Sequence, residues 1–213
     1  EIQLWRELLA PYELAVDELL VKFNHIINEY RQEAVYSPIE QVTGRVKKIS
    51  SIIEKAQKKG FPIDHIMEMI EDVAGIRIIC QFVEDIYDVV NIIKSRSDMT
   101  VIRVKDYITY PKASGYKSYH MIVSIPVYLS DRTVDTKVEV QIRTVAMDFW
   151  ASLEHKIHYK FEGDAPENIK NELVECARMV SDLDARMLSL NEEILAISKK
   201  REEEKQLNSG TSK

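Results

Sequence analysis

Two carboxylates and a surplus of cations carry the chemistry this chain could do. Glu139 lies in Lys137-Val138-Glu139-Val140-Gln141-Ile142-Arg143, which alternates strictly. As a β-strand it sets Val138, Val140 and Ile142 on one face and Lys137, Glu139, Gln141 and Arg143 on the other. The apolar phase fixes the register, because a one-residue slip would bury all four polar side chains. Such a face could be the wet side of a sheet. One carboxylate with two cations also suits a polyphosphate and its metal, with Glu139 as acid or base. Asp72 stands ahead of the mostly apolar run 76–82, a predicted central strand. It reads either as a turn residue or as a metal ligand at a strand mouth. Arg77, the one charge in that strand, needs a structural carboxylate or a ligand. Arg45, Lys47, Lys55, Lys105, Lys112 and Lys117 complete the cations. Hard carboxylate ligands with many cations are what Mg²⁺-bound polyphosphate requires. Neither a Walker lysine loop nor the kinase motif set occurs.

The elements that must position these groups follow from periodicity. Residues 2–30 read as a packing helix that Pro11 either kinks or divides, with Leu4 and Leu8 before it and Tyr12, Ala15, Leu19, Phe23, Ile26 and Tyr30 after. Ser37-Pro38 predicts a second helix, with Ile39, Val42, Val46, Ile49 and Ile53 as its buried stripe. On that helix Lys47, Ser51 and Lys55 line up four apart, either as a solvated basic face or as a phosphate-binding row. Gly60 and Pro62 end it. A short helix over 63–70 precedes the strand at 76–82, and Asp85 caps the next helix. A strand over 100–104 leads to the segment 107–119, where Pro and Gly interrupt two Lys and four Tyr. Lys holds phosphate and Tyr stacks on a base, though Tyr-rich loops also serve protein contacts. Strands over 121–127 and 134–143 flank a turn at Ser130-Asp131-Arg132. Helix 145–160 carries His155 and His158, which read as surface or packing residues or as a metal pair. After Pro166, Ile169, Leu173, Cys176, Val180, Leu183, Met187, Leu190, Ile194 and Ile197 form a heptad seam. The seam must meet another helix of this chain or a second copy.

The composition bounds the rest. The chain has 213 residues, 45% apolar and 30% charged, enough for one domain with helical extensions. A net charge of -6 argues against wholesale coating of nucleic acid, so any basic site is local. Cys80 and Cys176 form no CxxC, which predicts a reducing, cytoplasmic setting without disulfides or structural zinc. No membrane span and no signal peptide is read. The boundaries drawn are a helical extension over 1–34, a catalytic domain over 35–160, an amphipathic helix over 161–200 and a disordered polar tail over 201–213.

Three runs in order, Asp72-Val73-Ala74-Gly75-Ile76-Arg77, Gly115-Tyr116-Lys117-Ser118-Tyr119-His120 and Val138-Glu139-Val140-Gln141-Ile142-Arg143-Thr144, resemble the synthetase domain of the RelA/SpoT family. The short length resembles the stand-alone small alarmone synthetases. The resemblance implies an α/β (α+β) fold: a mixed sheet of five strands flanked by helices, nucleotidyltransferase-like, with long terminal helices. It implies transfer of pyrophosphate from ATP to the ribose 3′-hydroxyl of GDP or GTP in the bacterial stringent response. The His-Asp hydrolase motif of the long members is not found, so no hydrolase activity is expected. By the same resemblance, Asp72 and Glu139 are catalytic and hold Mg²⁺. Arg45, Lys47, Ser51, Lys55, Arg77 and Lys105 take ATP. Lys112, Tyr116, Lys117, His120, Gln141 and Arg143 take GDP or GTP, with Tyr116 on guanine. A homotetramer is implied, with RNA as a candidate regulator. Lys117 and Tyr119 depart from the usual residues of their motif. Gln41 and Asp148 stand where pppGpp-activated members carry Phe and Asn, and an acidic Asp148 would repel a polyphosphate. The alternative is an idle relative that binds guanine nucleotides or single-stranded RNA through the Tyr/Lys loop.

Overall fold

A computed structural model describes residues 2–210. Helix α1 (Ile2–Gln32) runs unbroken through Pro11. Then follow β1 (Gln41–Val46), α2 (Ile49–Lys59), a 3-10 turn and the one-turn α3 (Ile66–Met69), β2 (Ala74–Cys80), α4 (Val83–Ser95), β3 (Thr100–Asp106), β4 (Tyr119–Tyr128), β5 (Thr133–Thr144), α5 (Val145–Lys160) and α6 (Glu167–Gly210). The five strands form one mixed sheet in the order β1-β2-β5-β4-β3. Only β2 and β5 run parallel; the other pairs are antiparallel.

The alternation of β5 decides the layering. Val138, Val140 and Ile142 are fully buried with Leu19 and Phe23 of α1 and Ile86, Val89 and Ile93 of α4. Each such side chain contributes about 1.5–3 kcal/mol by leaving water. One sheet face is therefore sealed by α1 and α4, and α1 belongs to the core rather than to an extension. Gly44 shows how close the helix comes: a Cβ there would lie 2.5 Å from Val16 Cγ1. A glycine within a strand serves such a close crossing.

The predicted helix from Ser37 is corrected. Residues 41–46 pair antiparallel with β2, and the helix begins only at Ile49. Val42 and Val46 are four apart, a spacing that fits both a helix face and one side of a strand. Gly44 between them weakens a helix, and the edge of β2 offers its backbone groups a partner. The buried stripe of α2 is Ile52 and Ala56, while Ile53 is exposed. Gly60 closes α2 in the left-handed conformation at φ 67°, as predicted. Asp85 sits inside the first turn of α4 and accepts the Phe82 N–H at 3.1 Å, so it caps from within.

The C-terminal helix packs along its first five turns, as far as Asp184, whose Oδ2 accepts from Thr144 Oγ1 at 2.7 Å. Leu173 and Ala177 are buried against Trp150 and Ala151, and Trp150 Nε1 donates to the Leu173 carbonyl at 2.9 Å. Leu183, Met187, Leu190, Ile194 and Ile197 of the heptad seam are exposed. The helix continues to Gly210, where a disordered tail is expected from 201. Its Arg, Glu, Lys and Gln residues are good helix formers. Residues 211–213, the end of that expected tail, lie outside the described residues.

Candidate active site

Strand register brings most of the predicted residues to one level. Across the sheet, Thr43 pairs with Arg77, Arg77 with Gln141, Gln141 with His120 and His120 with Lys105. Two residues along, Arg45 pairs with Gly75, Gly75 with Glu139, Glu139 with Ile122 and Ile122 with Arg103. Side chains two apart share a face, so both rows lie opposite α1 and α4. Asp72 enters beside them from the mouth of β2. Asp72 and Glu139 together line two adjoining cavities of 290 Å³ and 150 Å³. The larger adds Lys55, Lys59, Lys105 and His120; the smaller adds Arg45, Arg77 and Gln141.

The Asp72 carboxylate is held from one side. Its Oδ2 accepts from Lys47 at 3.0 Å and from Lys55 at 2.8 Å. Burial opposes its ionisation, but the two lysines outweigh burial and keep its carboxyl below the usual range. Its Oδ1 is buried with no hydrogen-bond partner. An unpaired buried carboxylate oxygen is costly, and a hard cation is the partner that its chemistry fits. On Glu139, Oε1 accepts from Gln141 Nε2 at 2.7 Å. Oε2 lies 4.0 Å from His120 Nδ1.

A third cavity of 1090 Å³ opens from Arg45 along Lys47, Lys48, Ser51 and Lys58, and is closed on its far side by His155, His158 and Tyr159 of α5. Here α2 begins after Lys48, which gives it no side-chain cap, and its first turn holds no acidic residue. A free helix N-terminus beside lysines attracts anions. The row Lys47, Ser51 and Lys55 is therefore assembled, although Lys47 precedes the helix instead of riding on it. The two histidines are exposed, and no group of three or more metal-ligating side chains occurs among the described residues.

A second network serves the Tyr/Lys loop. Arg143 is 3% exposed. It donates from Nη2 to the Tyr116 hydroxyl at 2.8 Å and to Gln141 Oε1 at 2.7 Å. Since Arg can only donate, the Tyr116 oxygen accepts, and its own proton goes to His120 Nε2, 2.8 Å away. That leaves the His120 proton on Nδ1, facing Glu139. Burial, then the charges of Arg143, Lys112 and Lys105, push the His120 pKa down to about 3. His120 is thus neutral, and its 4.0 Å approach to Glu139 is no ion pair. Burial raises the Tyr116 pKa, so the phenol keeps its proton. Lys112 Nζ lies 4.7 Å from the Tyr116 ring centre. Gly115, at φ 90°, lets the loop pass over Ala177 of α6.

Two expected nucleotide ligands sit elsewhere. Lys117 points away from the carboxylates; its charge lowers the pKa of Asp184 on α6, against a larger rise from burial. Alternation explains this, since Lys117 falls opposite Tyr116 in phase. Arg143 shares the face of Glu139 but is roofed over, so it orders Tyr116 and Gln141 instead of opening to solvent. Asp148, read in the sequence only as a residue repelling polyphosphate, is a partner of both Arg143 and Arg77, at 3.3 Å and 3.5 Å. Its place in the first turn of α5, just after the end of β5, was the available signal. Lys48 and Lys58 join the 1090 Å³ cavity through the turn at the start of α2 and the i, i+3 and i+4 phase with Ser51 and Lys55.

A mixed sheet whose paired carboxylates face adjoining cavities rimmed by cations defines an enzyme that transfers phosphoryl groups between bound phosphate esters. The family model described as "Region found in RelA / SpoT proteins" matches residues 44–164, and the chain belongs to that family. It is 46% identical to the GTP pyrophosphokinase YwaC of Bacillus subtilis over 89% of this chain and 91% of that one. It is also similar to the small alarmone synthetase 1 of Bacillus subtilis bound to its product pppGpp, with 44% identity, a TM-score of 0.88, and 91% and 99% of the two chains covered. The same synthetase bound to AMPCPP matches with 41% identity and a TM-score of 0.80, again over 91% and 99% of the chains. In fold, this chain has the five-stranded mixed sheet and long C-terminal helix expected of that family.

Proposed function

We propose that this protein is a GTP pyrophosphokinase, moving the β,γ-pyrophosphate of ATP to the ribose 3′-hydroxyl of GDP or GTP and releasing AMP. The observation that carries this reading is the convergence of Asp72 and Glu139 on shared cavities, with one Asp72 oxygen unpartnered among cations.

Asp72 Oδ1 and Glu139 would hold Mg²⁺, which when bound supplies positive charge to the transferred phosphates. Arg45 and Arg77, on the neighbouring strands β1 and β2 and lining one cavity, would take the adenine. Lys47, Ser51, Lys55 and the α2 N-terminus take the ATP phosphates, with Lys105 on the far side of Glu139. Tyr116, His120, Lys112 and Gln141 face the acceptor, with Tyr116 as the platform for guanine. The acceptor O3′ forms a bond to the β-phosphorus as the bond from that phosphorus to the α,β-bridging oxygen breaks. Glu139, with Oε1 engaged by Gln141, takes the 3′-hydroxyl proton on its other oxygen. Charge building on the phosphoryl oxygens falls among Lys47, Lys55 and Lys105. The cavity lined by Gln41 and Asp148 also carries Glu40 and Asp184, so pppGpp is not read as an activator there. Among the described residues no helix is long and apolar enough to cross a membrane. We place the protein in the cytoplasm as a homo-oligomer, a tetramer by its resemblance, with the exposed seam of α6 as one contact.

The test is incubation with Mg²⁺, γ-labelled ATP and GDP. Label should move onto the guanine nucleotide, and Glu139→Gln should lower turnover by at least about a hundredfold while keeping the fold. Binding of both nucleotides without transfer would make this an idle relative instead.

A further inference from the structure

The nucleotide sites leave Asp148 without a part in the chemistry, yet its carboxylate joins two guanidiniums. Oδ1 stands 3.5 Å from Arg77 Nη1 and 3.3 Å from Arg143 Nη1. Arg77 lines the cavity shared with Arg45 and Glu139, on the donor side. Arg143 sets the acceptor side through Tyr116 and Gln141, and its Nε is buried with no partner. Three bonds therefore fix its plane, and the one to Asp148 is the only one among them that carries a full counter-charge. Without it, two like charges would face each other across a partly buried gap.

We propose that Asp148 is a positioning residue shared by both nucleotide sites. It aims Arg77 at the donor and, through Arg143, steadies Tyr116 and Gln141 for the acceptor, while touching neither nucleotide. This rests on the two-nucleotide reading above. The competing role is structural only: a negative side chain in the first turn of α5, favoured by the helix dipole. That role affects melting temperature and leaves substrate affinity alone.

The experiment measures KM for ATP and for GDP separately, with melting temperature, in the parent, Asp148→Ala and Asp148→Asn. Asp148→Ala is expected to raise both KM values by about 5- to 30-fold, between the worth of an exposed ion pair and that of a hydrogen bond to a charged group. Asp148→Asn keeps an acceptor oxygen without the charge, and is expected to raise both by about threefold. Both KM values within twofold of the parent in folded Asp148→Ala would overturn the proposal; so would a change in only one of them. If Asp148→Ala fails to fold, the isosteric Asp148→Asn decides, unchanged KM values counting against it. Failure of the underlying reading looks different: the parent itself then moves no label to GDP.

Discussion

Replacing Gly115 by Ala should disable the acceptor side without unfolding the protein. The backbone there has φ 90°, and a Cβ would lie 2.5 Å from Ala177 Cβ. Carbons prefer separations of about 3.5–4.0 Å, so the overlap is about 1 Å. A left-handed L residue costs about 1–2 kcal/mol, and over-packing adds about 1–3 kcal/mol. The turn that Gly115 closes is held by its N–H to the Lys112 carbonyl at 2.9 Å and by Lys112 N–H to the Tyr116 carbonyl at 3.2 Å. Lifting the loop off α6 escapes the overlap but carries Tyr116 away from Arg143 and His120. The cost therefore falls on acceptor binding: about 2 kcal/mol, or about a 30-fold rise in KM for GDP, with the ATP KM moved far less. Ala177→Gly removes the second Cβ and leaves the φ cost, so the double variant should recover at least about fivefold. A double-mutant cycle on KM for GDP measures this. An unchanged KM in Gly115→Ala, or no recovery in the double variant, would refute the packing argument.

Two further outcomes follow from the geometry. His120 has a folded pKa near 3 and an ordinary value of 6.5, so the unfolded chain takes up its proton first as pH falls. Stability should drop from about pH 6.5 downward, by about 1.4 kcal/mol at pH 5.5. Denaturant unfolding of metal-free protein should show this slope, and His120→Gln should lack that part of it. Gly44→Ala should lower the unfolding midpoint by about 1–3 kcal/mol of stability, since its Cβ meets the stiff Val16 side chain; an unchanged midpoint would mean α1 can move aside.

Most of the sheet was legible because its signals are local. The alternation of β5 announced both the core face and Glu139, and the apolar run of β2 announced its buried position. What escaped depends on contacts between distant segments. A four-residue spacing did not separate strand from helix at Val42 and Val46; the pairing of β1 with β2 did. Alternation put Arg143 on the right face, but only α5 and the loop over it decide that it is enclosed. Lys117 sits inside a motif whose neighbours line the site, and its own phase turns it toward α6. The ion pair between Asp148 and Arg77 spans two elements and has no sequence period at all. The continuation of α6 shows the reverse case, where polarity alone concealed good helix formers.

The strand carrying Glu139 is the last of the five along the chain, yet it occupies the middle of the sheet between β2 and β4. Until residues 133–144 emerge during synthesis, β1-β2 and β3-β4 are two separate ribbons with no common partner, and the two acidic groups cannot meet. Joining them requires residues 74–80 to find a parallel neighbour about sixty positions later, a slow, non-local closure. A growing polypeptide consequently cannot bring its two catalytic carboxylates together until translation has passed its final strand.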